Sequence, residues 1–170
     1  MNYKDYIESI QDFPIKGILF RDITPLLANG EAFKSAVNEL ADYVKSVGGE
    51  VIYGPESRGF IVGCPVATSV GLGFVPVRKP GKLPRKTVSI EYALEYGTNK
   101  LEITADSIVK GQKVVIIDDL LATGGTIDAT CKLIEENGGI VAGIAVLIEL
   151  EDLKGRELLK DYNVFSLMKY

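Results

Sequence analysis

Two adjacent carboxylates, Asp118 and Asp119, stand between four branched apolar residues and a loop with two glycines in "VVIIDDLLATGGT" (114–126). Burying an unpartnered carboxylate costs several kcal/mol. Both acids are therefore expected at an exposed strand end, capping the next turn or meeting a ligand. Gly124 and Gly125 open backbone conformations closed to other residues, so successive N–H groups can point at one anion, and Thr123 and Thr126 add hydroxyls. The helix expected next brings its N-terminal N–H groups and dipole to the same point. No Lys follows the glycines, and the G-x-G-x-x-G spacing is missing, so neither a nucleoside-triphosphate nor a dinucleotide signature is present. What remains is a phosphate cradle beside two acids placed to accept hydrogen bonds from vicinal hydroxyls, as on a ribose ring.

A second loop, "GPESRGF" (54–60), carries Arg58, whose planar donor fork suits phosphate oxygens, between Gly54 and Gly59, which let the backbone come close. Alone it is a weak signal, because a single Arg at a helix start is most often a solvated charge. At the end of a strand neighbouring the first loop, it becomes a second phosphate site. The chain has no histidine, which removes imidazole bases, Ser-His and Cys-His pairs and the usual zinc sites together. Acid–base work falls to Asp, Glu, Lys or Tyr.

The elements that must position these loops follow from the apolar pattern. "EVIYG" (50–54), "GFVPV" (73–77), "KVVIID" (113–118) and "IVAGIAVLIEL" (140–150) are continuous apolar runs, the mark of strands buried on both faces. Phe33, Val37, Leu40, Val44 and Val47 recur at helical spacing up to Gly48-Gly49, Ile127, Cys131 and Ile134 repeat it up to 137–139, and 58–70 is the helix between the first two strands. Strand, helix and strand in succession predict an α/β fold, a central parallel sheet flanked by helices, with ligands beyond the carboxyl ends of its strands. Residues 11–30, with two prolines and two glycines, are expected outside the core as a flap over a pocket. Residues 79–104 form a long β-hairpin excursion in which Val88, Ile90, Tyr92, Leu94 and Tyr96 alternate. On such a strand Glu95 is by default solvated.

A chain of 170 residues, 46% of them hydrophobic, builds one domain with a single core. A net charge of −4 without a Lys/Arg run argues against nucleic acid or a membrane surface and for a small-molecule partner. The charged first ten residues and the lack of a spanning apolar stretch lead to the expectation of a cytoplasmic protein. Cys64 and Cys131 lie far apart in apolar segments and are expected to be reduced core residues.

The 114–126 stretch resembles the 5-phosphoribosyl 1-pyrophosphate (PRPP) motif of the type I phosphoribosyltransferases, through the apolar run, both acids and the whole loop. The resemblance implies that Asp118 and Asp119 bind the ribose hydroxyls and that Ala122, Thr123, Gly124, Gly125 and Thr126 bind the 5′-phosphate. "GPESRGF" is similar to the family's pyrophosphate loop, which assigns Glu56, Ser57 and Arg58 to pyrophosphate and places a cis peptide near Glu56-Ser57. "FPIKGILFRDITPLL" (13–27), "RKPGKLP" (78–84), "ALEYG" (93–97) and "LKGRELL" (153–159) resemble the adenine phosphoribosyltransferases in order and spacing, so the likeness spans essentially the whole chain.

That likeness implies a single domain, 1–170, with a base-binding hood at 11–30 and a flexible hairpin lid at 79–104. The Leu19 backbone would read the adenine edge, with Phe20 and Arg21 shaping the pocket. Glu95 would face the base nitrogen N7 as proton carrier. Arg78 and Lys79 would serve pyrophosphate or the partner's site, with Lys82 as a helper. The implied reaction converts adenine and PRPP to AMP and pyrophosphate in a homodimer. Mg2+ is the expected cofactor, held chiefly by PRPP oxygens and water with no direct protein cage. Two rivals share the PRPP loop: a xanthine or hypoxanthine phosphoribosyltransferase, and a non-catalytic PRPP-sensing regulator.

Overall fold

The apolar runs become the interior of a five-stranded parallel sheet. In the computed structural model, which describes residues 1–94 and 96–170, the chain opens with β1 (Glu8–Gln11) and β2 (Leu19–Asp22), then α1 (Thr24–Ala28) and α2 (Gly30–Ser46). Next come β3 (Val51–Pro55), α3 (Arg58–Val70), β4 (Gly73–Val77) and the hairpin β5 (Thr87–Ala93) and β6 (Thr98–Thr104). The chain then forms β7 (Lys113–Leu121), α4 (Gly125–Glu136), β8 (Ile140–Glu149), the short α5 (Gly155–Leu158) and β9 (Val164–Lys169). The main sheet has the order β4-β3-β7-β8-β9, with every pairing parallel.

Alternation along β7 shows why its sequence is apolar without interruption. Val115 and Ile117 enter a core shared with α2 and α3, while Val114 and Ile116 enter a second core beneath α4 and the hairpin. All four are fully buried, and each such side chain contributes roughly 1.5–3 kcal/mol. The helices sit where the periodicity predicts, and their ends have local causes. The Asn29 side chain accepts the Ala32 N–H at 3.0 Å to cap α2, and α3 stops at Gly71, whose φ of 69° is left-handed.

Connectivity runs outward from β3 to β4 on one side and from β7 through β8 to β9 on the other. The topological switch point therefore lies between β3 and β7, and both candidate loops leave the carboxyl ends of those two strands.

Several expectations change. The 11–30 segment is not wholly outside the core, because Ile23 is 4% exposed and Leu26 is fully buried against α2; only its first half forms the antiparallel β1–β2 flap. The hairpin is anchored at its base, since Leu101 and Ile103 of β6 belong to the second core and Arg78 bridges to Glu102. Cys64 is exposed, whereas Cys131 is buried as expected. Helix α3 is apolar on nearly all sides, so the sequence did not distinguish its outward positions. Strand β9 and helix α5 had no counterpart among the expected elements. Among the described residues no helix is long and apolar enough to cross a membrane.

Candidate active site

Glu56, Ser57 and Arg58 from the loop after β3 meet residues 118–127 from the end of β7 around a cleft of about 420 Å³. Strand β7 runs three residues beyond its expected end, and this changes the setting of the acids. Asp119 is only 7% exposed, contrary to the expectation of an exposed strand end. Its partner resolves the energetic problem: Arg58 Nε lies 2.5 Å from Asp119 Oδ2. The Asp119 N–H donates to Asp118 Oδ1 at 2.9 Å. Burial, reinforced by the neighbouring Asp119 charge, pushes the Asp118 carboxyl well above the usual carboxylate range, and Arg58 offsets this only in part. Asp118 therefore favours its protonated form more than an exposed carboxyl does.

Residues 122–126 curl over the cleft floor. Gly124 adopts φ +88° and caps α4, whose first N–H groups have no partner within the helix. A Cβ at Gly124 would lie 2.9 Å from the Gly155 carbonyl oxygen, so the loop rests directly on the backbone of α5. Tyr92 of the hairpin reaches the loop through its hydroxyl, 3.3 Å from Thr126 Oγ1.

The second loop has the cis peptide at Glu56-Ser57, as expected. Glu56 turns away from the cleft floor, accepting from Arg78 Nε at 3.2 Å and from the Lys79 N–H at 2.8 Å. Arg78 and Lys79 do not line the cleft but are tied to its wall through this carboxylate. Lys82 is outside the cleft.

The hood meets the cleft through Phe20. Arg58 Cζ lies 5.5 Å from the centre of the Phe20 ring, and Phe13 packs edge-on to the same ring at 5.1 Å. Leu19 is 43% exposed. Arg21 lies on the other face of β2, donating to Ser9 Oγ and stacking 4.0 Å over Tyr170, away from Phe20. Glu95 lies outside the described residues. Sequence reasoning missed the Arg58–Asp119 pair, the Tyr92 contact and the support from Gly155; only Arg58's loop carried a local signal.

An acid pair, a glycine loop at a helix N-terminus and Arg58 thus share one cleft at the switch point. Residues 26–169 match the family model "Phosphoribosyl transferase domain", and the chain belongs to that family. The adenine phosphoribosyltransferase of Lactobacillus johnsonii is 61% identical over 170 residues, covering 100% of this chain and 97% of that protein. The crystal structure of adenine phosphoribosyltransferase from Thermoanaerobacter pseudethanolicus superposes with a TM-score of 0.94 at 53% identity, covering 98% of this chain and 97% of that one. The Saccharomyces cerevisiae enzyme, solved with an imino-altritol bisphosphate and adenine, gives 0.90 at 38% identity, covering 96% and 95%. Within its family the chain stands with the adenine phosphoribosyltransferases.

Proposed function

We infer that the chain transfers the phosphoribosyl group of PRPP to N9 of adenine, releasing AMP and pyrophosphate in purine salvage. The observation that carries this is the convergence of the Asp118–Asp119 pair, the 122–126 cradle and Arg58 on a single cleft at the switch point.

Asp118 and Asp119 accept from the ribose 2′- and 3′-hydroxyls, and Ala122 through Thr126 hold the 5′-phosphate on the N-terminus of α4. Ser57 and Arg58 take the pyrophosphate, with Glu56 keeping Arg78 and Lys79 nearby; Lys82 assists only if the hairpin closes. Phe20 and the Leu19 backbone position adenine under the hood, and Arg21 steadies the hood from behind. In the reaction the bond from C1′ to the pyrophosphate oxygen breaks, the bond from C1′ to N9 forms, and the proton lost by the base passes to Glu95. Holding both ends of an oxocarbenium-like transition state is the protein's main contribution.

The described residues gather no three His, Cys, Asp or Glu side chains about one point, and Asp119 and Glu56 are already engaged. That donor set fits Mg2+ entering on PRPP, coordinated chiefly by substrate oxygens and water, where it supplies charge neutralisation for the departing pyrophosphate. The family resemblance further carries a cytoplasmic homodimer.

The test is AMP formation from PRPP with adenine, compared with hypoxanthine, guanine and xanthine, with and without Mg2+. Adenine alone is expected to turn over efficiently, and only with the metal; equal turnover of hypoxanthine sinks the adenine assignment. Phe20→Ala is expected to raise the adenine KM about tenfold, as the loss of an aromatic contact of about 1–1.5 kcal/mol would, with the PRPP KM changed less than about twofold. Equal changes in both constants place Phe20 outside the base site.

A further inference from the structure

Glu149 ends β8 directly beside Leu121, the residue that leads into the phosphate loop. Its side chain is 5% exposed and receives a guanidinium fork, Arg156 Nε at 2.8 Å on Oε1 and Nη2 at 2.5 Å on Oε2. The Ser166 hydroxyl of β9 also donates to Oε2. The remaining Arg156 donors hold β9, Nη1 on the Val164 carbonyl at 2.8 Å and Nη2 on Ser166 Oγ at 3.0 Å. With the carboxylate buried and the Arg156 side chain 40% exposed, the pair adds less stability than a fully desolvated one would need to, but its fork fixes geometry in a way that apolar contacts do not. Here it fixes a turn. Lys154 takes a left-handed φ of 55°, which L residues adopt at a cost, and it delivers Gly155 to the underside of the loop.

The contact at Gly155 leaves no slack. A Cβ there would lie 2.3 Å from the Ala122 carbonyl oxygen, 2.9 Å from Leu121 Cδ1 and 3.1 Å from the Gly124 nitrogen. Gly124 is constrained from above by the same contact, so two glycine backbones bear on each other. Backbone hydrogen bonding continues the support, with the Leu150 N–H on the Leu121 carbonyl at 2.9 Å.

We propose that Arg156 and Glu149 are positioning residues for the 5′-phosphate, setting the height of the 122–126 loop through the contact of Gly155 with Ala122 and Gly124. This rests on the reading of that loop as the 5′-phosphate site. The Arg156 hydrogen bonds hold the Glu149 carboxyl at about 2, so the brace stays charged throughout the pH range in which the enzyme would work.

The experiment measures ribose 5-phosphate binding by calorimetry, KM for PRPP and adenine, and the thermal midpoint, for the parent, Arg156→Met, Arg156→Lys and Gly155→Ala. Arg156→Met and Gly155→Ala are expected to raise the ribose 5-phosphate Kd and the PRPP KM about tenfold or more, since small misplacements of a binding loop carry such effects. Their adenine KM should stay within about twofold, and Arg156→Lys, charged but without the fork, should fall between. A purely structural brace would lower the midpoint and leave both binding constants alike. Should Arg156→Met not fold, Gly155→Ala decides, because it leaves the ion pair in place. Unchanged ribose 5-phosphate affinity in a folded Gly155→Ala protein overturns the proposal. Absence of ribose 5-phosphate binding by the parent overturns the phosphate reading of the loop itself.

Discussion

The double variant Asp118→Asn/Asp119→Asn is expected to bind PRPP about 10³-fold more weakly than the parent and adenine almost as well. On the proposed reading each acid accepts from one ribose hydroxyl in its ionised form, the form that bound PRPP selects, and a hydrogen bond to a charged group is worth roughly 1.5–3 kcal/mol; two lost together give that factor. Asn keeps the shape and one acceptor oxygen, so the loss reports charge rather than bulk. The single change Asp118→Asn carries a second consequence, of opposite sign, for stability. Burial and the Asp119 charge raise the Asp118 pKa in the folded protein above its ordinary value of 3.8. The folded state therefore holds the Asp118 proton more tightly than the unfolded chain does. The parent's stability should fall as pH rises from about that value through the raised one, a loss Asp118→Asn does not suffer. At neutral pH the variant should melt higher, by about 2–4 °C for each kcal/mol of relieved repulsion in a domain of this size. Melting curves of both proteins from pH 4 to 8, with calorimetry for PRPP and adenine, check both halves. Equal losses of PRPP and adenine affinity in the double variant indicate a folding defect, and a pH-independent difference in midpoint removes the electrostatic account.

Strain against function at this pair arises from a contact that no local pattern announces. The runs at 50–54, 73–77, 113–118 and 140–150 made the parallel sheet legible, because strands buried on two faces have no choice but continuous apolar sequence. The turn at 122–126 into α4 was legible too, because its glycines permit the left-handed backbone that Gly124 adopts at the head of the helix. By contrast, Asp119 was expected near solvent, and only folding brings Arg58, 61 positions earlier, to within 2.5 Å of it. Cys64 illustrates the opposite failure. In "RGFIVGCPVATSV" the apolar residues surround α3 almost completely, and nothing in their order distinguishes exposed Ile61 and Cys64 from buried Val62 and Val66. Strand β9 escaped notice because it is an edge strand, half-buried over most of its length. Gly155 was quoted within a family-like segment, yet its purpose is visible only from the backbone lying above it.

Glu95→Gln is expected to lower AMP formation roughly 10²- to 10³-fold at saturating PRPP, the range in which a positioned proton carrier acts, whereas Glu91→Gln should remain within about twofold of the parent. The chain has no histidine to accept the proton that adenine loses. The acids lining the described cleft already have partners: Asp119 on Arg58, Glu56 on Arg78 and the Lys79 N–H, and Asp118 on the Asp119 N–H. The family resemblance places the uncommitted carboxylate on the hairpin at Glu95, and Glu91 of β5 is the control. Tyr92 faces the phosphate loop, so Glu91, its neighbour on β5, points to the opposite face and lies across from Lys100. The strand ends at Ala93, and its alternation places no such restriction on Glu95. Single-turnover rates separate the proton step from product release, and a Glu95→Gln enzyme that forms AMP at the parental rate, with Glu91→Gln impaired instead, would transfer the role to Glu91.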